Sequence, residues 1–82
     1  MKLIRSIDES IRIDLNEVGI TTWGSDAEDC KVAISEALEI NVTILETNRD
    51  KLNKLSENRL ARLKSMIDDH NNGRFDDIIN KL

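Results

Sequence analysis

Apolar residues recur along this chain at steps of three and four. Leu3, Ile4, Ile7, Ile11, Leu15 and Val18 form one such stripe, the signature of an amphipathic helix, and predict a helix over about residues 2–18. Gly19 follows as a left-handed stop, and Ile20 can fold back on the last turn. TTWGSDAEDC, residues 21–30, marks a boundary. Ser25 and Glu28 have the spacing of a capping box. Asp26, Glu28 and Asp29 place negative charge where the positive end of a helix dipole would lie. A second helix is expected to start at Asp26.

Residues 25–72 contain neither glycine nor proline. With about 100° of rotation per residue and Leu52 at zero, twelve residues from Ala27 to Ile67 (Cys30, Ile34, Leu38, Ile44, Leu45, Leu55, Leu60, Leu63 and Met66 among them) lie within roughly 80° of one direction. Val32, Ile40 and Ala61 lie off that face. The apolar phase runs unbroken through EINVTILETNRD, residues 39–50, and favours a helix that is continuous or kinked over residues 26–70. Charge agrees: a helix ending near Glu46 puts a carboxylate at its negative end, and one restarting near Thr47 puts Arg49 and Lys51 at its positive end. Local propensity opposes it, because Asn41, Val42, Thr43, Thr47 and Asn48 are poor helix formers, and Thr47 or Asn48 could cap a new helix. A split near residues 46–49 therefore stays open. A straight helix would be roughly 67 Å long, and a rod of that length needs a partner. HNNG, residues 70–73, is a stop signal, after which Phe75, Ile78, Ile79 and Leu82 predict a short helix over residues 74–82.

Composition narrows the class. A chain of 82 residues is one domain, residues 1–82, with a marginal core. It has no proline, few aromatics and 34% charged residues. The expected fold class is all-α, with three to four helices in a self-associating helical bundle, a dimer being the simplest form. The single cysteine, Cys30, excludes an internal disulfide and suits a reducing compartment. MKLIRSIDESIRIDL has no apolar core of a signal peptide, and no apolar run approaches the roughly 20 residues that span a membrane. A cytoplasmic protein without membrane insertion is expected.

The formal net charge is −4, but it is unevenly placed. Residues 25–47 carry one base and six acids, whereas residues 48–64 carry six bases and two acids. That pairing suits an intramolecular hairpin or an antiparallel pair of identical helices. Few residues offer catalytic chemistry. Cys30 lies on the apolar stripe beside acids that disfavour a thiolate. His70, after Asp68 and Asp69, reads as a positive group near a helix C-terminus rather than a metal ligand. No nucleophile–base set and no phosphate loop is present, so no enzyme, cofactor or metal is expected. Arg49, Lys51, Lys54, Arg59, Arg62 and Lys64 form the basic cluster; without stacking aromatics it reads as a solvated or complementary face, and no nucleic acid is expected. SEALEINVTIL, residues 35–45, offers the alternative of a small helix-turn-helix-like DNA-binding regulator, with Leu38, Ile40 and Leu45 at apolar positions and Glu39 where that family has its turn glycine. Trp23 lies in a polar segment and suits either an interface or a lid over a small core; Phe75 and Ile79 carry the same two readings, the core being the stronger for them.

From MKLIRSIDESIRIDLNEVGI to DDIINKL, the sequence resembles the cytoplasmic antiholins of T-even coliphages, lysis-inhibition accessory proteins of the third rapid-lysis locus. The resemblance implies a non-enzymatic regulator in the host cytoplasm. It would bind the cytoplasmic N-terminal part of the phage holin, stabilise its inhibited state and delay host cell lysis. It assigns no residue to the contact. From exposure and chemistry, the residues expected to bind a partner are Trp23, Arg49, Arg59, Arg62, Phe75 and Ile79.

Overall fold

The computed structural model describes residues 1–81, so Leu82 lies outside the described residues. The fold is α+β, and this corrects the all-α bundle. Three strands, β1 (Lys2–Arg5), β2 (Ile11–Leu15) and β3 (Ile20–Gly24), precede α1 (Ala27–Thr47), α2 (Lys54–Asn71) and a single turn, α3 (Asp76–Ile79). The strands form an antiparallel sheet in the order β1-β2-β3. Leu3 pairs with Ile13, and Ile13 with Thr22.

The predicted helix over residues 2–18 is thus two strands and their turns. A step of four satisfies both a helix and a strand, because it is also a multiple of two. The deciding residue is Ile13. On a helix it lies opposite Ile11; in IRIDL it alternates with Arg12 and Asp14, and Ile11, Ile13 and Leu15 are all buried. Ile7, part of the supposed stripe, is fully exposed in the first turn. The β-branched density of the segment favours the pleated form. At the first turn Glu9 takes φ 68°, and the Asp8 carboxylate accepts from the Ser10 N–H and hydroxyl at 3.1 and 2.7 Å. At the second, Gly19 takes φ 67°, a conformation glycine adopts without the penalty a Cβ brings.

Gly24 ends β3 against the first turn of α1, where an added Cβ would lie 2.8 Å from the Cys30 backbone nitrogen. The capping is displaced by one residue from the expected box. Asp26 is the N-cap and accepts from the Asp29 N–H at 2.8 Å, while Asp29 accepts from the Ser25 N–H at 2.8 Å.

The continuous or kinked helix over residues 26–70 is also corrected, in favour of the split that stayed open near residues 46–49. α1 stops at Thr47, a 3₁₀ turn covers Arg49–Lys51, Leu52 is extended, and α2 begins after Asn53. The longest dimension is 41 Å, well short of the rod. The weak helix formers close the end of α1: Thr47 and Asn48 donate to the carbonyls of Thr43 and Ile44, both at 2.8 Å. The dipole argument fails for two reasons. Glu46 at the negative end is met by Lys64 of α2 at 2.7 Å. Arg49 and Lys51 lie in the connection, and α2 starts later with Asn53 as its cap and Glu57 in its first turn.

One hydrophobic core joins the halves. Ile11, Ile13 and Leu15 of the sheet meet Cys30, Ile34 and Leu38 of α1, Leu63 and Met66 of α2, and Ile79 of α3. α1 is the central element, touching β2, β3, α2 and α3. No helix among the described residues is long and apolar enough to cross a membrane.

Candidate interaction surface

The basic residues that adjoin in sequence serve different neighbours. Lys64 ties α2 to α1 through Glu46, whose carboxyl is held below its usual range chiefly by the hydrogen bond and charge of that ammonium. The Arg59 Nε donates to the Val18 carbonyl at 3.1 Å, fastening α2 to the second turn of the sheet. Arg62 lines a cleft of about 830 Å³ between that turn and α2, with Glu17, Ser65 and Asp69. The Glu17 carboxyl there is lowered first by the chain's terminal ammonium, 2.8 Å away. Arg49 stands in the helix connection, exposed, and lines a small groove with Leu52, Leu60 and Lys64. The cluster is therefore spread over separate contacts.

Phe75 and Ile79 face inward. Ile79 is completely buried, and Phe75 packs on the core with its ring 6.1 Å from that of His70. The His70 Nδ1 is buried without a hydrogen-bond partner among the described residues. Cys30 is a buried free thiol whose pKa is raised by desolvation, with Asp29 and Asp26 adding to it. Among the described residues no group of three or more acidic, histidine or cysteine side chains could hold a metal ion. SEALEINVTIL lies within α1, which is unbroken at Glu39, so this segment does not form a helix-turn-helix.

Trp23 is different. It is 58% exposed on β3, opposite Arg12 in register and so on the sheet face away from the core. β3 is an edge strand. Between it and α1 runs a groove of about 440 Å³ lined by Ile20, Thr22, Trp23, Val32, Glu36 and Ile40, among others. Val32 and Ile40 are 53% and 58% exposed, and Ile44, one further turn along the same helical stripe, is 54% exposed. A row of apolar side chains beside unpaired strand amides is a recognition surface. Val32 and Ile40 were visible in the sequence as residues off the main face. Their spacing of eight, with Glu36 midway, was the signal for a second stripe.

Comparison with protein-family models, curated proteins and solved structures finds no match to this chain.

Proposed function

We propose that this protein is an interaction module that delays phage lysis by binding the cytoplasmic N-terminal part of a holin, in the host cytoplasm at the inner face of the membrane. The full-length sequence resemblance supplies the identity of the partner. The observation that supports binding as the activity is the pair Val32 and Ile40 standing open beside the β3 edge, a stripe that exposed Ile44 continues along α1. Regulation then follows from mass action. The module must bind the unassembled holin more tightly than the hole-forming state, because equal affinity shifts no population.

The test is calorimetric titration of the purified protein with the soluble N-terminal segment of the holin. Saturable binding at micromolar affinity or tighter, weakened by Ile40→Lys, is the expected result. Absence of heat and of co-elution at high concentration sinks the reading. A DNA mobility shift that fades with added salt and with Arg49→Glu would replace it with the regulator alternative.

A further inference from the structure

The sheet has two edges, and they differ. The β1 edge carries Lys2 and Arg5 in a strand running only to Arg5, and charge on an edge discourages strand addition. β3 reads Ile-Thr-Thr-Trp-Gly. It has no charge and no proline, and its pairing with β2 runs without a bulge from Gly24 to Ile20. Among the described residues no further strand pairs with this edge. α1 forms a wall beside it, with the groove between them.

The groove has a chemical sign. Its charged lining residues are Asp29 and Glu36, both acidic. Asp29 is engaged, accepting from the Ser25 N–H at 2.8 Å and hydroxyl at 3.0 Å. Glu36 is exposed and forms no ion pair among the described residues. Along the helix Glu36 is midway between Val32 and Ile40, so each lies about 6 Å away along the axis. Alternate residues of a strand, which share a face, are about 6.6 Å apart. The two repeats match.

We propose that β3 accepts one further strand from a partner protein, an extended segment in which a lysine or arginine alternates with apolar residues on the face turned to α1. Main-chain hydrogen bonds to β3 would supply affinity and the α1 wall would select the side chains, the basic residue at Glu36 and its apolar neighbours at Val32 and Ile40. A second copy of β3 is a poor occupant, because it would bring another Asp29 and Glu36 to the same groove. The inference rests on the reading of the protein as an interaction module, and it specifies the binding mode.

The probe is the capped synthetic peptide Thr-Val-Thr-Lys-Thr-Val-Thr, titrated against the intact protein and followed by amide hydrogen exchange. Saturable binding with new protection confined to β3 is expected. The same peptide with glutamate for lysine should bind weaker on the order of tenfold, from like-charge juxtaposition with Glu36. In E36K the preference should reverse. The inference is overturned by no binding at millimolar peptide, by protection on β1 instead, or by an unchanged preference in E36K. Protection of β3 that rises with protein concentration alone would overturn it in favour of self-pairing. Holin-segment binding without β3 protection would remove this inference and leave the proposed function standing. Peptide binding at β3 with no holin binding would do the reverse.

Discussion

Both halves of this molecule contain hairpins, and they are closed by different means. Residues 2–24 turn through backbone conformation, with positive φ at Glu9 and Gly19. Residues 27–71 turn through side chains: Thr47 and Asn48 satisfy carbonyls at the end of α1, Asn53 caps α2, and Lys64 reaches Glu46. A strand hairpin is fixed by its register, and a one-residue slip turns every side chain to the wrong face. A helical hairpin has a short connection and depends on what each helix end can find as a partner. Hence the sheet half should be most sensitive at its buried alternating residues, and the helical half at its caps.

The largest expected effect separates the two periodicities directly. Ile13 is buried only if residues 11–15 are a strand; Ile7 lies on the helical stripe and is exposed in the turn. Ile13→Ala should destabilise by about 2–5 kcal/mol through lost burial and a residual cavity. Ile7→Ala should stay within about 0.5 kcal/mol. Urea denaturation of the two variants measures both. Equal losses would restore a helix over residues 2–18.

The halves meet at Gly24, where the sheet ends against α1. A Cβ there would lie 2.7 Å from the Cys30 Sγ and 2.9 Å from its Cα, and backbone cannot move aside as a flexible side chain can. Gly24→Ala should cost about 1–3 kcal/mol by overpacking. Thermal unfolding reports it. Further truncation, Gly24→Ala with Cys30→Ala, should recover only part of the loss, since the backbone contact remains.

Within the helical half the sign of one substitution discriminates. Asn53 accepts from the Ser56 N–H at 2.9 Å as the N-cap of α2. Asn53→Ala removes that acceptor and should destabilise by about 1 kcal/mol. In a helix running through residue 53 the same change would stabilise, because alanine is the better helix former. Equilibrium unfolding with a gain in stability would refute the break.

What could be read from the sequence follows the same division. The start of α1 near Asp26, the helical stop at residues 70–73 and the core places of Cys30, Ile34 and Leu38 were legible, because cap chemistry and 3.6-residue periodicity are local. The sheet was hidden because Leu3, Ile7, Ile11 and Leu15 repeat at four, which both periods accept; Ile13 alone breaks the tie. The break after Thr47 was legible only as an alternative, through the weak helix formers of residues 41–48, because the connection preserves the apolar phase by coincidence. The dipole argument opposed it because Glu46 finds its cation on another helix, 18 residues on in sequence, at Lys64. Of the suggested contact residues, Trp23 is exposed, while Ile79 belongs to the core. Only tertiary placement tells the exposed stripe of α1 from its buried one.

The smallest effect compares two carboxylates, one in each hairpin. Asp8 and Glu46 are both held below their usual ranges, Asp8 first by hydrogen bonds from Ser10 and Glu46 first by its hydrogen bond to Lys64 and then by that residue's charge. A depressed carboxyl contributes stability that is fully present above its unfolded pKa and is lost as pH falls through the folded value. Both contributions should therefore disappear on the acid side, below the ordinary carboxylate range. Salt should tell them apart, since screening weakens an exposed ion pair but not a neutral hydroxyl or amide donor. Carboxyl NMR titrations at low and high salt should show Glu46 moving back up toward its ordinary value while Asp8 stays in place. Lys64→Met should release Glu46 at any salt, and Ser10→Ala should raise Asp8 alone. A Glu46 titration unmoved by both salt and Lys64→Met would mean that the tie between α1 and α2 contributes nothing in solution, and would leave their pairing to Leu38, Leu63 and Met66.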